Sequence, residues 1–135
     1  MHPAKALPEI TLLQEAFRYD PETGHLFWKQ RPRSHFVSDN LWKRSNTRWG
    51  GKQTGSLVYQ TSTKKPAYMC INADFCGVHF KMMVHRVVLA LHGVFPEQGM
   101  VVDHIDGNPF NNRIGNLRVC THSQNLMNNA GYRHY

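Results

Sequence analysis

The stretch VVDHIDGNPFNNRIGNLRVCTHSQN, residues 101–125, decides how this chain reads. VVDH is a short apolar strand that ends on two chemically competent side chains, Asp103 and His104. IDGN supplies a turn and NLRVC a second short strand. Thr121 and Gln124 fit a T-x-x-Q capping box, so THSQN opens a helix. A β-hairpin feeding a helix brings the end of its first strand near the first turns of that helix. Asp103, His104 and Asn125 are therefore expected to converge. Asn116 opens the second strand, where β propensity disfavours it and where a side-chain bracket across the loop explains it.

That trio has a chemical logic. Asp carboxylate and Asn carbonyl are hard oxygen donors suited to Mg²⁺, which keeps several waters and takes few protein ligands. A histidine beside them titrates near neutrality and can take a proton from water. One weakly held divalent ion, one base and a phosphodiester make a hydrolytic nuclease site. Bland readings stand beside this one. DG and GN are ordinary turn dipeptides, so Asp106, Gly107 and Asn108 alone say only "hairpin". Asn111, Asn112, Asn128 and Asn129 read as loop and helix-surface residues. His122 is a rival ligand, set against a solvated place in the first helical turn.

The motifs DHIDGN, NNRIGNLR and the trailing T-x-x-Q-N resemble the HNH endonuclease family, in particular its phage and intron-associated branch of homing endonucleases. With HRVVLALHG upstream, the resemblance runs over roughly residues 84 to 129. It implies that His104 is the general base, that Asp103 binds the metal, and that Asn116 braces the loop carrying the histidine. The third position, His in many members and Asn in this branch, falls on Asn125, giving Asp103 and Asn125 as metal ligands. It also implies one Mg²⁺ or Mn²⁺ ion and products with 5′-phosphate and 3′-hydroxyl ends. Many relatives carry paired CxxC motifs around this core; here Thr121 and Gln124 stand where the second pair would fall, so no structural zinc is expected. An HR pair recurs in the family where His85-Arg86 stands. For His85, a phosphate contact and a structural role both remain open.

The whole chain agrees with a polyanionic partner. Its 135 residues carry 16 Lys and Arg against 9 acids, a net charge of +7, the electrostatic footprint of a nucleic-acid binder. A hydrophobic content of 41% suits one globular domain, or a small catalytic core with an appended binding region. No apolar run is long enough to span a bilayer and no signal pattern opens the chain. Cys70, Cys76 and Cys120 lack CxxC spacing and read as reduced thiols of a cytoplasmic protein.

Upstream, EITLLQEAFR (residues 9 to 18) predicts a short amphipathic helix and YDPETGHLFWK a hairpin. Trp28 reads as a core anchor of that hairpin, with base stacking as the other reading. Residues 29 to 65 carry nine basic residues against Asp39 alone, with Trp42 and Trp49 among them. Without apolar periodicity, residues 29 to 53 are expected to be a long loop, either tracking a phosphate backbone or merely solvated. GSLVYQ, PAYMCIN and VHFKMMVH predict a small antiparallel sheet, with ADFCG as the loop between the last two. Tyr68, Cys70, Val78, Phe80 and Met82 are the candidates for its buried face.

The expected fold is α+β: a small antiparallel sheet plus helices, with a C-terminal ββα-metal core. Residues 1–83 would hold the DNA-binding region and 84–135 the nuclease core. Expected DNA contacts are Arg31, Arg33, Lys43, Arg44, Arg48, Lys52, Arg86, Arg113 and Arg118, on double-stranded DNA and with no membrane involved. For a phage-encoded protein the location is the cytoplasm of a bacterial host. A catalytically silent DNA-binding module of the same fold is the alternative; it predicts decay at positions where Asp103, His104, Asn116 and Asn125 all stand. A virion or interaction protein would leave the basic stretch unexplained.

Overall fold

In the computed structural model the described residues are 6–59, 62 and 66–124. The chain opens with helix α1, Ile10–Ala16, which runs straight into strand β1, Phe17–Tyr19. The helix is shorter than the pattern suggested because Phe17 leaves helical geometry for an extended backbone. Leu13, Ala16 and Phe17 face the core, so the apolar spacing serves one helical turn and then a strand. Strand β2, Leu26–Trp28, returns antiparallel with Phe17 opposite Trp28. The turn between them is pinned by the Asp20 carboxylate, which accepts from the Glu22 N–H at 3.1 Å and the Thr23 hydroxyl at 2.9 Å. Trp28 is a core anchor, its ring 4.6 Å from that of Phe17.

The expected loop over 29 to 53 is corrected: it contains helix α2, Asp39–Trp49, and leads into strand β3, Gln53–Thr54. Strand β4, Ser56–Tyr59, lies in the expected strand GSLVYQ. Ser38 caps α2 by accepting from the Leu41 N–H, and Asp39 sits in the first turn where the helix dipole favours a negative charge. No residue of α2 is buried, which is why apolar periodicity did not reveal it. β3 extends the first hairpin into a three-stranded sheet ordered β1-β2-β3.

Strands β4, β5 (Pro66–Phe75) and β6 (Val78–Met83) form the second antiparallel sheet. Its last turn is only Cys76-Gly77, both at positive φ (53° and 82°), so ADF belongs to the strand. Two positive φ values match the twist of a tight hairpin. That register decides the face. Met69, Ile71, Ala73 and Phe75 alternate inward with Met82, whereas Val78 is 55% exposed and Tyr68 only half-buried. The expected alternation was therefore one residue out of step along β5, although of the candidates Cys70 and Met82 are buried and Phe80 packs against the core.

β6 passes without interruption into helix α3, Val84–Leu91. Val84, Val87, Val88 and Ala90 pack in the same core cluster as Leu13, Phe17, Leu26, Ile71 and Phe75. The final hairpin pairs β7, Met100–His104, with β8, Leu117–Thr121, in antiparallel register. No helix among the described residues is long and apolar enough to cross a membrane.

Arg31 is a second correction, because it is 5% exposed and belongs to the interior. Its guanidinium lies 4.3 Å from the Phe75 ring centre and 4.5 Å from that of Phe36. It donates to the Asp74 carbonyl at 2.6 Å and to His35 Nδ1 at 3.1 Å. Burial pushes its pKa down to about 10, which leaves it charged at neutral pH. Arg31→Ala should lower stability by about 1–3 kcal/mol by leaving buried acceptors unpaired. Lys43→Ala, on the exposed side of α2, should stay within about 0.5 kcal/mol of the parent in the same urea titration.

Candidate active site

Asp103 and His104 end β7, where the ladder stops and the chain enters the loop of residues 105–116. In the sheet Asp103 stands opposite Arg118 and His104 opposite Leu117. The Asp103 carboxylate is 4% exposed and accepts from Arg118 Nη2 at 3.3 Å. His104 is half-buried, with Nε2 2.8 Å from the Asn112 side-chain oxygen. That oxygen can only accept, so Nε2 carries the proton of the neutral ring and Nδ1 keeps its lone pair. Asn112 is itself 1% exposed, with its amide nitrogen directed at Met69 Sδ, 3.8 Å away. The residue that holds the His104 ring is thus one that the sequence reading set aside as a loop residue. The available signal was weak: a second asparagine in NN, eight residues past the histidine.

Asn116 closes the loop. Its side-chain oxygen accepts from the Asp106 N–H at 3.1 Å, and its amide nitrogen donates to Asp106 Oδ1 and the Asn111 carbonyl, both at 2.9 Å. Asp106 also accepts from Asn111 Nδ2 and the Asn108 N–H, each at 2.8 Å. Burial pushes the Asp106 carboxyl up, but these hydrogen bonds outweigh it and leave the pKa below its ordinary value. The capping box closes as well: Gln124 N–H donates to Thr121 Oγ1 at 3.2 Å and Thr121 N–H to Gln124 Oε1 at 2.9 Å. Helical backbone begins at 122–124, with His122 exposed. Asn125 lies outside the described residues.

The hairpin loop is braced from the N-terminal side. Tyr19 hydroxyl accepts from the Ile114 N–H at 2.9 Å, and Arg113 Nε donates to the Glu22 carbonyl at 2.6 Å. Gly24, at φ +76°, lies so close that a Cβ would collide with the backbone of Asn112 and Arg113.

Of the other expected DNA contacts, Lys43, Arg44 and Arg48 are exposed on α2, and Lys52 is exposed just after it. Arg33 pairs with Asp39 at 2.5 Å, and Arg48 lies 4.8 Å over the ring of Trp49. Arg44, Arg48 and Trp49 line one wall of a groove whose other side includes Asn72 and His79. Trp42 is turned inward and donates to the Arg31 carbonyl at 2.9 Å. Arg86 is half-buried beside the site.

His85, from α3, meets His104 ring to ring at 5.2 Å. Burial, followed by the charges of His104 and Arg86, pushes its pKa down from 6.5 to about 3. His35, fully buried, is also lowered, chiefly by burial and then by Arg31, against the opposing pull of Glu15. His85 is neutral in the folded protein near pH 6, while the unfolded chain protonates below about 6.5. The unfolded state then binds more protons, so stability is complete above that pH and is lost as the pH falls toward about 3, with His35 acting in the same direction. Denaturant titrations should give a slope of up to about 1.4 kcal/mol per pH unit for His85 in this window. A stability flat from pH 6.5 to 4 would contradict the neutral assignment.

Residues 82–127, which include Asp103, His104, Asn116 and Asn125, match the family model described as HNH endonuclease. An "Uncharacterized HNH endonuclease L245" of Acanthamoeba polyphaga mimivirus is 32% identical over 66 residues, 49% of this chain and 20% of that protein. A solved structure described as "DNA binding and cleavage by the HNH homing endonuclease I-HmuI" is similar at 27% identity and a TM-score of 0.53, over 87% of this chain and 53% of the other. The chain thus spans about a fifth of the mimivirus protein and about half of the homing-endonuclease chain. Over residues 82–127 the chain thus matches the HNH endonuclease family, and it is similar to these two proteins described as HNH endonucleases.

Proposed function

We propose that this protein is a metal-dependent, homing-type DNA endonuclease in which His104 is the general base and Asp103 and Asn125 hold one divalent ion. The observation that carries the reading is the pairing of His104 Nε2 with Asn112, which leaves Nδ1 as a proton acceptor at the end of β7, beside Asp103. His104 accepts a proton from water at Nδ1 as the water attacks phosphorus in line with the 3′-oxygen. The imidazolium keeps its Nε2–H on Asn112, so the ring need not turn as it takes charge. Arg118, paired with Asp103, keeps a positive charge at the edge of the site where a phosphate would lie.

The donors fit an ion such as Mg²⁺ or Mn²⁺. Asp103 offers a carboxylate and Asn125 an amide oxygen, both hard donors. Among the described residues no three His, Cys, Asp or Glu side chains converge into a metal cluster, so the remaining positions would go to water and substrate oxygens. Bound there, the ion would supply charge stabilisation at the phosphate and the leaving oxygen.

Supercoiled plasmid should be converted to nicked or linear forms with Mg²⁺ and left intact in excess EDTA. His104→Ala should retain DNA binding while the cleavage rate falls by about 10²–10⁴. Cleavage in full chelation would remove the metal from the mechanism. A wild-type protein that binds DNA but never cuts would be the silent module.

Affinity is assigned largely to the N-terminal part, residues 1–83, with the chemistry in 84–135. The exposed cations Lys43, Arg44, Arg48 and Lys52 would contact phosphates, while Arg31 would not. Each phosphate neutralised contributes about 0.9 to the slope of log affinity against log salt. Replacing those four by Ala should flatten the slope by up to about 3–4 units, for all double-stranded sequences alike. An unchanged slope would move the contacts to Arg86, Arg113 and Arg118 around the catalytic hairpin.

A further inference from the structure

His85 is a buried group at the site that the mechanism above does not use. It lies in the first turn of α3, is 7% exposed, and stands among the apolar residues Val84, Val87 and Val88. Its Nδ1 is buried without a hydrogen-bond partner among the described residues. An unpaired interior nitrogen is unfavourable, and an apolar side chain would fill the same place without it. Its ring meets that of His104 edge to face, with planes at 87° and centres 5.2 Å apart.

Among the described residues the His104 ring is hydrogen-bonded at one corner, by Asn112 on Nε2. A single hydrogen bond fixes that nitrogen but leaves the ring free to tilt about the contact. A second surface is needed to fix the plane. We propose that His85 is a positioning residue whose ring is that surface, holding the His104 imidazole so that Nδ1 faces the reacting water while Nε2 stays on Asn112. The role in turnover rests on the nuclease reading; the ring orientation does not.

The contact crosses between elements: α3 belongs to the continuous core, so the His104 ring on β7 rests against a helix packed into that core.

The test compares His85→Phe, which keeps a flat ring, with His85→Leu, which keeps bulk and loses the plane. Two readouts are used: ¹⁵N-histidine NMR of the protein without metal or DNA, and plasmid-cleavage kinetics with Mg²⁺. Wild type and His85→Phe should both show His104 protonated at Nε2 in a single form, with kcat within about threefold of each other. His85→Leu should show both tautomers in exchange and a kcat lower by about 10- to 100-fold at unchanged KM, the usual penalty for a misplaced base. A Leu variant with the wild-type ¹⁵N signature, or a Phe variant that loses as much kcat as Leu, would overturn the proposal. Should His85→Leu fail to fold, His85→Phe decides alone, and loss of either its signature or its rate counts against the wall. If wild type itself does not cleave, the nuclease reading falls and the NMR comparison still decides the positioning.

Discussion

Everything chemical at His104 depends on a loop held by amide and carboxylate side chains instead of by a β-ladder. Between His104 and Leu117 the ladder gives way to isolated backbone bonds such as Ile105 N–H to the Asn116 carbonyl at 2.9 Å, and the side chains of Asn116, Asp106 and Asn111 supply further bonds. Each such bond contributes only about 1 kcal/mol net, but losing one leaves polar atoms stranded at greater cost. The loop thus adopts one conformation, and Asn112 is delivered to His104 Nε2 as a consequence. Asparagine suits the task because one amide both donates and accepts. Aspartate at 116 could not donate to Asp106, and leucine could do neither.

The same loop is also fixed from outside itself. Tyr19, Glu22 and Gly24 of the first hairpin reach it, and the absence of a side chain at Gly24 is what lets the two backbones approach. Segments far apart in sequence thereby share one rigid frame. A disturbance at the N-terminal turn is transmitted to the histidine through Arg113 and Asn112, with no contact to the substrate. The continuous core beneath, from Leu13 to Ala90, keeps that frame stiff.

The site was more legible in the sequence than the region upstream of it, and the reasons are physical. Hairpin, capping box and bracket each need particular side chains at fixed offsets, so VVDH, NLRVC, Asn116 and Thr121-Gln124 announce local geometry. α2 announces little, since an exposed helix needs no apolar stripe; its one readable mark was Ser38 followed by Asp39. Arg31 was misread because charge in a basic stretch is expected outside. Nothing local reveals that Phe36 and Phe75 will close over it. The face of the second sheet was lost to the Cys76-Gly77 turn, where assigning three residues to the loop instead of the strand inverts every side chain behind it. Asn112 was missed for a related reason. Its importance lies in a partner eight residues back, which only the folded loop brings within reach.

Arg31 and His85 are both buried polar groups, yet they stand in different relations to their surroundings. Arg31 has acceptors on both sides and aromatic faces around it, so its burial is compensated and it serves the fold. His85 has an Nδ1 without a partner among the described residues and a ring contact with His104, the base of the proposed reaction. A group that weakens the folded state locally, without a compensating bond, is maintained more readily for geometry at a site than for stability. Arg31 thus serves the fold through compensated burial, whereas the uncompensated nitrogen of His85 lies against the histidine of the proposed site.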